Sequence, residues 1–267
     1  MKPSEKIIVI AQAIKTHYWK ELYLTLSNEG IPFEMVFVGH IKPNFILPPN
    51  FTWIECSLSA AQCAEIAYRY SYKHIPDAKY IVNIADDLLL PPNFLRDNKN
   101  FYNQQKEELG VEILLTGPVC LVQSGFENLM AWKNGGPSLL VTNFTEVSTS
   151  VKIGGIDTRF EGIYWDCDRM LRAHAMGGKV VVSPITKLSP IREREHLPGL
   201  YHKYKNIDKV FLDKLWNITT NEIDGKITDC CILNNQNKNE SFQKKMLIER
   251  KEEVEEYTTE EFQEYYE

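Results

Sequence analysis

The chain has no excess of basic residues, no long hydrophobic run and none of the glycine loops of the commonest nucleotide-binding folds. Its 30 Lys and Arg stand against 36 Asp and Glu, a formal charge of −6, so the basic footprint of a nucleic-acid binder is missing. The first apolar run, Ile7 to Ile14, is far too short to span a bilayer, and no small-residue cleavage site follows it. A basic amphipathic anchor is also lacking, and a cytoplasmic protein with no transmembrane segment is expected. No GxGxxG follows that run and no GxxxxGK(S/T) occurs anywhere, which disfavours a plain NAD-binding domain and P-loop chemistry. Cysteine is sparse. The six (Cys56, Cys63, Cys120, Cys167, Cys230 and Cys231) show no CxxC spacing, and adjacent Cys230 and Cys231 are poor partners for each other. Reduced, mostly buried thiols are expected.

What is present suits an ordinary globular protein. With 267 residues, 43% of them hydrophobic, one substantial core can be buried. The acid is confined to the end: from Glu240 to Glu267 ten Glu face four Lys or Arg, which accounts for the whole net charge. Beyond about Trp216 the apolar pattern thins, and the Asn-rich stretch from Asn234 to Asn239 reads as a linker. The expected division is a main domain over 1–217 and an acidic extension over 218–267, helical or partly disordered.

Within the main domain, apolar periodicity alternates between strand and helix. KIIVIAQAI is a near-continuous Ile/Val run, as in a strand covered on both faces. Trp19, Leu22, Tyr23 and Leu26 then recur at helical spacing as far as the Asn28-Glu29-Gly30 stop. Further strands are predicted at Phe33 to Val38, Phe51 to Glu55, Tyr80 to Ala85, Glu112 to Thr116 and, as the last clear one, Val180 to Pro184. Helices are predicted from Ser59 to about His74 and from about Asp166 to Ala175, the second closed by Gly177-Gly178; Pro91-Pro92 stops any regular element and can begin a helix. This alternation predicts an α/β domain whose ligands gather at the carboxyl ends of the strands.

One such end carries Asp86-Asp87. Paired carboxylates where a buried strand leaves the sheet can hold a hard divalent cation against phosphate oxygens; the plainer alternative is a turn and a cap. The surrounding YIVNIADDLLLPPNFL resembles the metal-binding segment of family 2 glycosyltransferases, in which an apolar strand ends in a DxD-like or DD pair. KIIVIAQAIKTHYWKELYLTLSNEGIPFEMVFVG is similar to their opening strand, helix and second strand. GGIDTRFEGIYWDCDRMLRAHAMGGKVVVSP is similar to their acceptor-side segment. Together these stretches span roughly Lys6 to Trp216.

The resemblance implies the GT-A architecture, a single twisted, mostly parallel sheet flanked by helices, binding a nucleotide-diphosphate sugar with Mn2+ or Mg2+. Asp87 matches the direct metal ligand and Asp86 the neighbouring contact to nucleotide or metal. Asp166 falls on the catalytic carboxylate, the base that takes a proton from an acceptor hydroxyl; by itself it reads equally as a helix N-cap. Ala11 and Gln12 fall at the first-strand nucleotide loop. Gly154 and Gly155 imply a close approach of backbone to donor, with a simple turn as the alternative. Asp157, Trp165 and Asp168 are expected on the acceptor side. His196 is expected as a metal or diphosphate contact, with Arg192 and Arg194 as diphosphate partners. Two departures stand out: Val38-Gly39-His40 replaces the usual Asp-rich end of the second strand, and Trp165-Asp166 replaces the usual Glu-Asp pair. The implied activity is metal-dependent, inverting sugar transfer from a nucleotide-diphosphate donor to a hydroxyl acceptor in glycan or polysaccharide synthesis. Alternatives are a non-catalytic nucleotide-sugar or glycan-binding protein with the same fold, or a nucleotidyltransferase, disfavoured because no Gly-rich basic loop lies between Ile10 and Tyr18.

Overall fold

Strand β1 (Ile7–Gln12) is buried along all but its last residue, which is why it carries apolar side chains on both faces. Residues 5–122, 125–127, 142–190, 200–216, 220–223 and 226–230 are described by a computed structural model. Helix α1 (Thr16–Ser27) buries Trp19, Leu22 and Leu26 on a single stripe and returns the chain to β2 (Phe33–Gly39), which pairs parallel with β1. Strand β3 (Phe51–Glu55) adds parallel to β2. Helix α2 (Ala60–His74) starts at a reciprocal cap: Gln62 N–H donates to Ser59 Oγ at 3.3 Å and Ser59 N–H donates to Gln62 Oε1 at 2.9 Å. Strand β4 (Tyr80–Asn83) pairs parallel with β1 on its other side.

The second half is less regular. A two-residue strand β5 (Leu88–Leu89) precedes Pro91-Pro92, after which helix α3 (Phe94–Leu109) ends on Gly110, whose φ of 59° suits a residue without a Cβ. Strands β6 (Leu114–Val122), β7 (Gly125–Glu127) and β8 (Asn143–Glu146) follow, then helices α4 (Val147–Ile153) and α5 (Trp165–Ala175), strand β9 (Lys179–Pro190) and helix α6 (Leu200–Trp216). Strands β10 (Thr220–Ile223) and β11 (Lys226–Cys230) form a separate antiparallel pair.

The main sheet runs β3-β2-β1-β4-β8-β6-β9-β5, with β7 beside β6. Strands β1, β2, β3, β4, β6 and β9 share one direction, and β5, β7 and β8 oppose them. The sheet is thus mostly parallel, as expected, with β8 reversed at its centre. Alternation along β1 sorts its side chains: Ile8 and Ile10 face α2, α5 and α6, whereas Ile7 and Val9 face α1 and α3. No helix among the described residues is long and apolar enough to cross a membrane.

Buried carboxylates fasten the loops at the rim. Glu29 accepts backbone N–H groups of Leu95 at 3.1 Å and Arg96 at 3.0 Å, tying the α1–β2 turn to the start of α3. Burial pushes its carboxyl up, against the pull of those N–H donors. Asp208 of α6 is 1% exposed and accepts three successive backbone N–H groups, from Glu161 at 3.0 Å, Gly162 at 2.8 Å and Ile163 at 2.8 Å. That cradle holds the loop that enters α5.

The periodic segments recover β1, α1, β2, β3, α2, β4 and α5 closely. Strand β9 is longer than the predicted Val180 to Pro184 stretch, and strands β10 and β11 lie beyond what read as the last one. Most of the expected extension, residues 231–267, lies outside the described residues. Asp208→Ala leaves three backbone N–H groups without their acceptor and should destabilise the domain by about 2 kcal/mol in urea unfolding, with Asp208→Asn recovering part of the loss; a change below about 0.5 kcal/mol, typical of a surface substitution, would contradict this role.

Candidate active site

Because β1 and β4 are parallel neighbours, their carboxyl ends emerge side by side, the position where open α/β sheets bind ligands. Asp86 stands just past the end of β4 and reaches across to the β1–α1 loop. Its Oδ2 accepts the backbone N–H of Ile14 at 2.8 Å, that of Lys15 at 2.5 Å and the indole N–H of Trp19 at 3.0 Å. The carboxylate is 6% exposed, and this desolvation raises its pKa while Trp19 and the backbone donors oppose the rise. Asp87, next in the chain, is only half-buried and faces Lys15, whose ammonium lies 3.0 Å from Asp87 Oδ2.

The two aspartates therefore differ in role. One oxygen of Asp86 is spent on the scaffold, while Asp87 stays open to solvent. Among the described residues no group of three or more His, Cys, Asp or Glu could by itself hold a metal ion. The pair fits a cation shared with a ligand's phosphate oxygens and water, the usual habit of Mg2+-type sites, rather than an all-protein cage.

A second group comes from the start of α5. This helix leads into β9, which runs with β4, so its first turn lies at the same carboxyl edge of the sheet as Asp86 and Asp87. Its N-cap residue is Tyr164, held at φ 65°, ψ −5° with no side-chain cap hydrogen bond. A bulky residue in the left-handed region carries backbone strain, a recurring mark of functional sites. Asp166 sits within the first turn and not at the cap, so the capping alternative is not what the helix uses. Its carboxyl is pushed up to about 6, chiefly by desolvation, with the Cys167 N–H at 2.9 Å pulling the other way. The residue as a whole is partly exposed, although its carboxyl is desolvated.

Other predicted residues turn out to be scaffold. Asp168, expected on the acceptor side, is fully buried; it accepts Arg172 Nε at 3.1 Å and Trp216 Nε1 at 2.9 Å, joining α5 to α6. Asp157 is also fully buried, in a two-pronged pair with Arg159 at 2.9 Å on each prong. Trp165 is 3% exposed and belongs to the core. Gly154 has φ 94°, and Gly155 lies so close to Glu65 that an added Cβ would be 2.8 Å from its carboxylate. At Gly155 the close approach is to Glu65 of α2. Ala11 is buried in β1, and the adjacent Gln12 has a buried Oε1 without a partner. Asn83 Oδ1, at the end of β4, is likewise unpaired. Arg192, Arg194 and His196 lie outside the described residues.

Sequence reasoning passed over Lys15, Trp19 and Arg169. Fully buried Arg169 donates to Tyr68 Oη at 3.0 Å, Asn143 Oδ1 at 3.2 Å and the Ser150 carbonyl at 3.3 Å, and its guanidinium lies 4.4 Å from the Tyr68 ring centre. Only its position three residues after Asp166 hinted at it. A cavity of about 50 Å³ between α1 and β5, lined by Tyr18, Leu22 and Leu88 among others, is far too small for a nucleotide and includes none of the candidate carboxylates.

The fold is of the GT-A type. It resembles the crystal structure of residues 1–349 of TarS from S. aureus, a GT-A-like glycosyltransferase, at a TM-score of 0.54 and 10% identity over 91% of this chain and 69% of that one. No family model matches the sequence, and no curated protein is similar enough to match.

Asp166 gives a stability test with a definite sign. Its folded pKa of about 6 lies above the ordinary 3.8, so the folded state holds the proton more tightly than the unfolded chain. Stability from this group is complete below about pH 4 and is lost as pH rises toward 6. Asp166→Asn, which cannot ionise, should melt with the wild type at pH 4 and above it at pH 8; a lower melting temperature at pH 8 would mark Asp166 as a structural carboxylate.

Proposed function

We propose that this protein is a metal-dependent, inverting glycosyltransferase that passes a sugar from a nucleotide-diphosphate donor to an acceptor hydroxyl in glycan or polysaccharide synthesis. The observation that carries the reading is the separation of carboxylates at one sheet edge: Asp86 and Asp87 at the end of β4, and Asp166, raised to about 6, in the first turn of α5.

Asp166 suits the role of general base. A carboxyl near 6 is ionised at neutral pH, yet basic enough to take the hydroxyl proton as that oxygen attacks the anomeric carbon. Attack from the face opposite the departing diphosphate inverts the centre in one displacement. Asp87 and the free oxygen of Asp86 are the groups that would hold Mn2+ or Mg2+. When bound, the ion neutralises the leaving diphosphate as a Lewis acid. The unpaired Gln12 Oε1 and Asn83 Oδ1 favour a polar ligand over this edge, since buried acceptors normally find a partner. Trp165, in place of a second acid, favours one alternative, a protein of the same fold that binds nucleotide-sugar without turning it over.

These readings separate on turnover. Incubated with UDP-, GDP-, CDP- and dTDP-sugars, Mn2+ and a hydroxyl acceptor, the protein should release one nucleoside diphosphate. The rate should climb with pH through about 6 as Asp166 gives up its proton. Asp166→Asn should cut turnover by roughly 10²- to 10⁴-fold while leaving donor affinity within a small factor. Binding of a nucleotide-sugar with no release of nucleoside diphosphate would transfer the case to the non-catalytic reading.

A further inference from the structure

Lys15 engages both aspartates of the strand-end pair. Its backbone N–H donates to Asp86 Oδ2 at 2.5 Å, and its ammonium lies 3.0 Å from Asp87 Oδ2. The two contacts differ in kind. The first is part of the buried anchor that Asp86 makes with Ile14, Lys15 and Trp19. The second joins side chains that are 36% and 32% exposed, the class of ion pair that contributes little to stability and opens readily. A fixed backbone thus carries a loosely held cation.

A divalent ion taking Asp87 cannot share that oxygen with an ammonium, because the like charges repel at such distances. Displaced, the Lys15 ammonium stays within one side-chain length of Asp87, since the Asp86 anchor holds its backbone. In the transferase reading, the anion that arrives with the metal is the donor's diphosphate. A flexible, three-donor ammonium is well suited to meet phosphate oxygens, and Lys15 stands at the N-cap of α1 with no acidic residue in the first turn to compete.

We propose that Lys15 is a diphosphate-binding residue that latches Asp87 in the absence of donor and transfers to the donor's phosphate oxygens when Asp87 takes up the divalent cation. The inference rests on the transferase reading for the nature of the ligand. It goes beyond that reading in assigning to the β1–α1 loop a mobile counter-ion that makes metal and diphosphate bind together better than either binds alone.

Calorimetric titrations test it without turnover. Mn2+ alone, then inorganic pyrophosphate in the presence of Mn2+, are added to wild type, Lys15→Met, Lys15→Arg and Asp87→Asn. The methionine keeps the aliphatic stem and leaves the backbone N–H to Asp86 in place, and an unchanged melting temperature checks that the variant folds. Lys15→Met should take Mn2+ alone roughly two- to fivefold more tightly, because the latch is gone. It should bind pyrophosphate roughly tenfold or more weakly, because a charge-assisted contact is lost, and Lys15→Arg should restore most of that affinity. If Lys15→Met leaves both affinities at the wild-type values while Asp87→Asn abolishes Mn2+ uptake, Lys15 is only a surface ion pair and the metal assignment stands without it. If the wild type takes up neither Mn2+ nor pyrophosphate with Mn2+, this inference and the metal assignment fall together.

Discussion

The carboxylate of Asp86 is the contact on which the site's arrangement depends. It draws two backbone N–H groups and an indole N–H from the β1–α1 loop and α1 onto one oxygen beyond the end of β4. Burying a charge is expensive unless donors replace the lost water, and here three do. The exchange fixes the loop after one strand to the end of its neighbour, so the β1–α1 loop, Lys15 and Asp87 are positioned together. Without that anchor the loop would lose the buried tie that holds the Lys15 backbone beside Asp87.

The other side of the site is built by the same means. Asp208 gathers the N–H groups of residues 161–163, Asp168 ties α5 to Trp216 of α6, and Arg172 holds the carbonyls of Ile153 and Gly155 at 2.9 and 2.6 Å. These buried links hold the entrance to α5, where Tyr164 keeps its strained backbone and Asp166 is left poorly solvated. The rim therefore contains carboxylates of two sorts. Asp157, Asp168, Asp208 and Glu65 are fully or almost fully buried against arginines and backbone amides, whereas Asp87 and Asp166 keep contact with solvent.

That division marks where the sequence stops being legible. The Ile/Val runs, the Ser59 and Gln62 cap and the Gly177-Gly178 stop encode their elements locally, so β1, β4, α2 and the end of α5 could be read from pattern alone. Strand β8 could not: Asn143–Glu146 is four residues long and carries only one large apolar side chain, and its reversed direction follows from its neighbours. The role of a carboxylate is equally non-local. Asp157 and Asp168 look like ligand contacts beside Asp166, yet Arg159, Arg172 and Trp216 decide otherwise from positions that periodicity does not link to them. Gly155 likewise reads as a place for ligand, yet Glu65, ninety residues away in the chain, lies against it. Lys15 escaped notice because a lysine after a strand is ordinarily a solvated surface residue.

The proposed function requires the end of β4 and the first turn of α5 to form one reaction centre. A crystal structure of the Asp166→Asn protein with Mn2+ and an intact nucleotide-sugar tests it most directly. The metal should lie between Asp87 and the diphosphate, with the anomeric carbon facing residue 166 from the side away from the leaving group, close enough for an acceptor hydroxyl to sit between them. A nucleotide-sugar bound elsewhere, or one whose anomeric carbon faces away from residue 166, would contradict it.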